Sequence, residues 1–259
     1  MLVDLIDRWR APLPEPRKIA WLDAQVYAHR GLHGPHGLGP DLPENSLPAF
    51  AAAVEAGLGI ECDVQRSGDG QPMIFHDFEL DRMTGESGPL ARRSADQLSR
   101  IALTGGDATI PSLRQMLDTV AGRVPVLIEI KTRADTRVAA LCLAVRRGLE
   151  GYRGDHAVIS FDPRVSHWFA VHSPLTARGL SFTDENDRTL MARLRRHCSL
   201  WHARPDFLTY DLEDLPNGFA AAQRKRGMKL VTWTVRTARD RERAAELADA
   251  WIAEGEGLA

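Results

Sequence analysis

Leu58-Gly-Ile-Glu61-Cys62-Asp63-Val64 is the stretch whose reading decides the fold. It is an apolar, strand-like run in which Glu61 and Asp63 stand two apart, so both carboxylates leave one face while Cys62 points the opposite way, toward a helix layer. Two like charges on the inner face of a strand repel. A cation removes the repulsion, and an all-oxygen donor set selects a hard divalent metal, Ca2+ or Mg2+. The same spacing returns in Val124-Pro-Val-Leu-Ile-Glu129-Ile-Lys131. There Glu129 offers a third carboxylate and Lys131 a positive point charge for a phosphate oxygen or a developing oxyanion. Alone, Glu129 and Lys131 read equally well as an ion pair on a solvent-exposed strand face.

Around these runs the chain alternates strand-like and helix-like segments. Strands are expected near 25–29, 58–64, 72–76, 124–130, 156–161, 177–182, 207–211 and 229–235, with a short ninth run near 250–253. Helices are expected near 46–57, 111–121, 135–150, 163–172, 185–197, 217–226 and 238–247. Asn45 or Ser46 caps the first helix, and Pro48 sits in its first turn, where proline is tolerated. Asp184 before Glu185-Asn186, and Thr237 before Ala238, are start signals of the same kind. This β-then-α rhythm predicts an α/β TIM barrel, with 1–259 as one domain. Only Gln65 to Gln71 separate the second and third strands, too few for a parallel crossover. That connection is expected to be a loop or hairpin turning at Gly68-Asp69-Gly70. The segment 78–110, richer in polar, Gly and Pro residues, is expected to cover the mouth of the site.

A barrel gathers strand ends, and the strand ends here carry chemistry. His29 closes the first run in Ala28-His29-Arg30-Gly31, and His76 closes the third in Phe75-His76-Asp77. A histidine at a strand end is commonly structural. Two of them, in step with the carboxylates and beside Arg30 and Asp77, point to a general acid and a general base flanking a phosphate. His33 and His36 lie in the loop Gly31 to Pro43. Trp233 and Phe161 are candidate apolar walls for substrate carbons, and equally candidate core residues.

Composition narrows the partners. The chain has 259 residues and a net charge of −2, which gives no global field toward nucleic acid or anionic membrane. No run approaches the length of a membrane span. Met1 to Arg10 does not read as a secretory signal, because Asp4 and Asp7 interrupt it. Leu2, Val3, Leu5, Ile6 and Trp9 allow a membrane-surface helix, but a helix packed under the domain is the preferred reading. Cys62, Cys142 and Cys198 form no zinc or disulfide pattern and suit a reducing, cytoplasmic setting.

In order along the chain, His29-Arg30-Gly31, Pro43-Glu44-Asn45-Ser46, Glu61-x-Asp63-Val64, Asp69-Gly70, His76-Asp77, Leu80-Asp-Arg82-x-Thr84-Gly85, Glu129-Ile-Lys131, Ser160-Phe161 and Trp233-Thr-Val235 resemble the glycerophosphodiester phosphodiesterase family. The resemblance runs from residue 26 to 235. It implies a barrel of the type shared with phosphatidylinositol phospholipase C, carrying a divalent metal on Glu61, Asp63 and Glu129, with His29 and His76 as the acid–base pair. Arg30 and Lys131 would face the phosphate, Glu44 would be a further polar or metal-proximal group, and Phe161 and Trp233 would wall the substrate. The implied reaction is hydrolysis of glycerophosphodiesters to sn-glycerol 3-phosphate and an alcohol. The family's glycerol-recognising insertion falls in 78–110 and is short here, which would leave the site open on one side. Glu254-Gly255 stands where the family often shows Thr-Asp. Three other readings are a lipid-cleaving phosphodiesterase or lyase similar to sphingomyelinase D or lysophospholipase D, a catalytically silent binding barrel, and an unrelated metallohydrolase barrel. The last is disfavoured because such sites usually use histidine ligands.

Overall fold

The computed structural model describes residues 2–23, 25–34, 41–184 and 189–258. Its strands are β1 (Val26–Ala28), β2 (Gly59–Arg66), β3 (Pro72–Ile74), β4 (Val126–Ile130), β5 (His156–Ile159), β6 (Ala177–Phe182), β7 (Phe207–Asp211), β8 (Lys229–Val235) and β9 (Ala250–Ala253). Its α-helices are α1 (Leu2–Arg10), α2 (Leu47–Glu55), α3 (Ala95–Leu98), α4 (Leu113–Val120), α5 (Val138–Gly148), α6 (Pro163–His172), α7 (Leu190–Ala203), α8 (Gly218–Lys225) and α9 (Ala238–Leu247). The sheet runs β1-β9-β8-β7-β6-β5-β4-β2-β3, and a β1–β2 pairing closes it. β3 pairs antiparallel with β2 across the short Gly68-Asp69-Gly70 turn and stands outside the ring. The remaining eight strands are parallel and form the barrel, so the short run at 250–253 is a full barrel strand.

Alternation along the strands builds two apolar layers. Outward residues such as Ile60, Cys62, Val64, Val126 and Ile128 are buried against Phe50, Met116, Leu117 and Leu141 of the helix layer. Cys62 therefore packs as core. Inward residues Tyr27, Leu127, Ala157, Phe207, Val231 and Ala250 fill the barrel interior below the mouth. The two large rings of that plug explain two glycines. A Cβ on Gly59 would stand 2.6 Å from the Tyr27 ring, and one on Gly179 would stand 2.7 Å from the Phe207 ring. Truncating Tyr27 or Phe207 to Ala would cost about 3–5 kcal/mol, because a large ring fully buried in the plug would be replaced by a cavity.

Helix starts follow local capping. Ser46 accepts from the Ala49 N–H and Thr237 accepts from the Asp240 N–H, as the capping signals predict. The start at Asp184 is a correction: α7 begins at Leu190, with Thr189 as its cap. Asp184 is buried and accepts instead from Tyr210 Oη and Arg196 Nη1, both at 2.7 Å. Glu185, Asn186 and His36 lie outside the described residues.

The segment 78–110 is also corrected. Leu80, Leu90, Leu98 and Leu103 bury with Met73, Phe75 and Ile110 in a small core of their own. None of its residues lines the central pocket, so it flanks the mouth and does not cover it. Its polar and Gly-rich composition hid a few well-spaced leucines that suffice for a local core. α1 packs on the barrel wall through buried Asp7, which accepts from His197 Nδ1, Trp201 Nε1 and Gln223 Nε2. Leu5 and Trp9 remain exposed on its outer face. The side chains of Leu2 and Val3 lie outside the described residues.

Candidate active site

The C-terminal ends of the strands surround a pocket of about 290 Å³ lined by His29, Arg30, Glu61, Asp63, His76, Glu129, Lys131, Phe161 and Trp233, among others. These are all the residues singled out from sequence except Glu44. The register places Asp63 beside Glu129 on β2 and β4. Carboxylate oxygens of Glu61, Asp63 and Glu129 lie within 4.8 Å of one another. Three carboxylates so close, two buried and Glu129 partly so, cannot all stay ionised without compensation. Burial, then the charges of Asp63 and Glu129, push Glu61 well above the usual carboxylate range. Burial raises Glu129 too, although Lys131 opposes it. Burial would also raise Asp63, but Lys131, His76, Arg30 and an Asn45 hydrogen bond outweigh it and hold Asp63 low. The donors are all oxygen, converge, and carry unbalanced negative charge, which suits a hard divalent cation.

Cationic groups already lean on this cluster. Lys131 Nζ is 3.0 Å from Glu129 Oε1 and 3.4 Å from Asp63 Oδ1. Arg30 reaches Asp63 at 3.5 Å and Glu44 at 2.9 Å. Its backbone adopts a left-handed φ of 57°, uncommon for a residue with a side chain, and turns its N–H onto Glu61 at 3.2 Å. Asn45 is also left-handed, which asparagine tolerates, and clamps Asp63 from two sides. Its Nδ2 donates to Asp63 Oδ2 at 2.9 Å, and its Oδ1 accepts from the Asp63 N–H at 3.3 Å. Asn45 was not singled out from sequence. It sits in the quoted Pro43-Glu44-Asn45 run and was read there only as an alternative to Ser46 for the cap of the first helix, a role that Ser46 takes. Glu44 stands one step back from the pocket and holds Arg30 and Arg82.

Each histidine is backed by a carboxylate. His29 Nδ1 meets Glu254 Oε2 at 2.6 Å, and His76 Nδ1 meets Asp77 Oδ1 at 2.5 Å. Engaging Nδ1 leaves Nε2 as the ring nitrogen for substrate. Each carboxylate is in turn held by an arginine. Arg236 Nε donates to Glu254 at 2.7 Å, and Arg82 donates to Asp77. Burial opposes ionisation of both acids, but these partners prevail, and Asp77 and Glu254 each fall to about 2. Glu254 was visible only as a departure from a Thr-Asp pattern, and nothing local in the sequence links it to His29. On the far side, Phe161 and Trp233 meet edge to face at 5.5 Å, with Ser181, Thr209 and Thr234 beside them. His33 is half-buried with Nε2 unpartnered, and burial lowers its pKa; it is not part of the lining.

A model of the Glycerophosphoryl diester phosphodiesterase family matches residues 29–253. A glycerophosphodiester phosphodiesterase of Caldanaerobacter subterraneus is 26% identical over 234 residues, covering 84% of this chain and 88% of that one. Glycerophosphodiester phosphodiesterase 1 of Rattus norvegicus is 31% identical over 144 residues, covering 50% of this chain. The chain spans 42% of the rat enzyme and 45% of a Bacillus altitudinis relative, less than half of each. In fold, an Oleispira antarctica phosphodiesterase solved with the product sn-glycerol-3-phosphate superposes with a TM-score of 0.72, at 23% identity, over 90% of this chain and 93% of that one. A Thermotoga maritima glycerophosphodiester phosphodiesterase gives 0.69 at 24% identity, over 90% and 94%.

Proposed function

The chain belongs to the glycerophosphoryl diester phosphodiesterase family, and from that premise we propose that it hydrolyses glycerophosphodiesters to sn-glycerol 3-phosphate and an alcohol, as a single phosphodiesterase domain over 1–259. The observation that carries this reading is the placement of two carboxylate-backed histidines around one buried three-carboxylate cluster in one pocket. Glu61, Asp63 and Glu129 would hold a divalent cation, Ca2+ or Mg2+, which when bound supplies charge neutralisation at the phosphate and lowers the pKa of an attacking hydroxyl or water.

The chain's own groups do the rest. Arg30 and Lys131 bring positive charge to the phosphate oxygens, each already desolvated and fixed by the carboxylates it touches. One histidine Nε2 takes the nucleophile's proton and the other gives a proton to the leaving alkoxide. Glu254 and Asp77 engage Nδ1 of each ring and so fix which nitrogen faces the substrate. The Phe161–Trp233 corner packs on glycerol carbons, and Ser181, whose hydroxyl accepts from Thr209 Oγ1 at 2.7 Å, lines the same end of the pocket. Glu44 positions Arg30 through an ion pair. The thiols of Cys62, Cys142 and Cys198 are all free, which supports a cytoplasmic setting. Among the described residues, no helix is long and apolar enough to cross a membrane.

The test is turnover of glycerophosphocholine and glycerophosphoglycerol by the purified protein, followed by coupled detection of sn-glycerol 3-phosphate. EDTA should abolish activity, and Ca2+ or Mg2+ should restore it. Glu61→Gln should weaken the metal dependence while leaving the fold intact. Full activity in chelator would remove the cation from this reading, and a cyclic phosphate in the phosphorus NMR spectrum would replace hydrolysis by a lyase reaction.

A further inference from the structure

Lys131 is shared by two cavities. Beyond the central pocket it also lines a neighbouring pocket of about 240 Å³, together with Gln65, Phe78, Arg66, Arg133, Asp135 and Arg137. A short 78–110 segment was expected to leave the site open on one side, and this pocket lies against that segment. Phe78 and Ala91 of that segment wall it.

The lining charge is one-sided: four cationic side chains against Asp135. Arg133 uses up that acid at 2.8 Å and lies over the Phe78 ring at 5.0 Å. Lys131 is committed to Glu129 and Asp63. Arg66 and Arg137 make no ion pair among the described residues. Arg66 Nε is buried without a hydrogen-bond partner. Its guanidinium lies over Gly70, where a Cβ would stand 2.6 Å from Nη2, so it stands between this pocket and a second cavity that it lines with Asp69, whose carboxylate it also helps to hold low. Arg137 is the N-cap of α5, a position that normally carries a side-chain acceptor, and it caps nothing. A cation there adds to the positive end of the helix dipole, an arrangement that an anion would relieve.

We propose that this pocket receives an anionic group, phosphate or carboxylate, carried by the half of the diester that is not held against Phe161 and Trp233. The preferred substrates are then glycerophosphodiesters whose esterified alcohol bears a second negative charge. The proposal rests on the phosphodiesterase reading of the central pocket. Lys131 makes the connection: a diester phosphate near its ammonium places the next few atoms of the alcohol over the boundary between the two cavities.

A matched pair of substrates tests this. Glycerophosphoglycerol and bis(glycerophospho)glycerol share the reacting bond and differ in one added anionic arm. At low ionic strength the doubly charged substrate should have a kcat/KM about tenfold higher, well above the roughly twofold expected from its second equivalent bond. The preference should shrink as added salt screens the partly exposed arginines. Arg137→Ala and, separately, Arg66→Gln should pull the ratio to about threefold or less, with the loss carried by KM. A wild-type ratio near twofold, or a ratio unchanged in both variants, overturns the proposal while leaving the phosphodiesterase reading standing. Hydrolysis of neither diester overturns that reading and the proposal with it.

Discussion

His76 takes its carboxylate from the next residue, Asp77, whereas His29 takes its own from Glu254, 225 positions away. The two arms end in the same device, an imidazole Nδ1 on a carboxylate that is itself held by an arginine. They differ in bracing. Arg82 also grips Glu44, and Glu44 grips Arg30, so the hairpin arm is tied into the phosphate-facing cations. Arg236 is 60% exposed and holds Glu254 alone, so the β9 arm ends in solvent. A closed barrel makes this equivalence possible: β1 pairs with β9, which carries the last strand's end beside the first. Chemically equal sites can thus have very unequal sequence signatures.

The sharpest way to break the comparison is to remove each ring. His29→Ala and His76→Ala should each lower kcat by about 10²–10⁴. The double variant should lose far less than the product, since the two act on one reaction coordinate. Bis(p-nitrophenyl) phosphate has a good leaving group and needs little acid help, so it should partly rescue the variant that lost the acid. Steady-state rates on both substrates make the assignment, and equal losses for both variants on both substrates would contradict separate roles.

The smaller effect lies in the carboxylates. Asp77→Asn and Glu254→Gln keep shape but remove the charge that fixes the tautomer, and each should lower kcat by about 10–10² with KM little changed. The unequal bracing sharpens this. Arg82→Ala should cost activity by loosening Asp77, Glu44 and Arg30 together. Arg236→Ala should cost less than Arg82→Ala, because Glu254 loses one partner and no network follows. Equal losses for the two arginine variants would mean that the Glu44 link carries no load.

These arms also mark how far the sequence was legible. The β-then-α rhythm gave the barrel, because alternating burial is written directly into runs such as Val124 to Ile130. The carboxylate cluster and His76-Asp77 were readable, since their partners lie within two residues or on strands with an obvious inner face. Glu254 was not, because its partner is set by barrel closure. Asn45 was hidden because a helix-capping signal explains the same position. The core beneath 78–110 was missed because its leucines follow neither helical nor strand period, and α7 was started early because Asp184 looks like a cap but is buried on Tyr210 and Arg196.

The least of the effects separates the arms by stability. Asp77 and Glu254 both fall from the ordinary carboxylate range to about 2. A depressed folded-state pKa stabilises the protein above the unfolded value, and that stability is lost as pH falls through the folded value. Each acid therefore contributes fully above about pH 5 and progressively less down to about pH 2, by at most about 2 kcal/mol for Asp77 and about 3 kcal/mol for Glu254, less whatever solvent screening removes from these partly exposed groups. Urea unfolding of the wild type should show stability falling across that window. Asp77→Asn and Glu254→Gln should each flatten the fall, because the variant side chain takes up no proton there. Glu254 starts from the higher ordinary value and so has the larger shift, and its flattening should be at least as large as that of Asp77. A markedly smaller change for Glu254→Gln would mean that the solvent-exposed Arg236 contact does not persist in solution, and that only the hairpin arm is rigidly held.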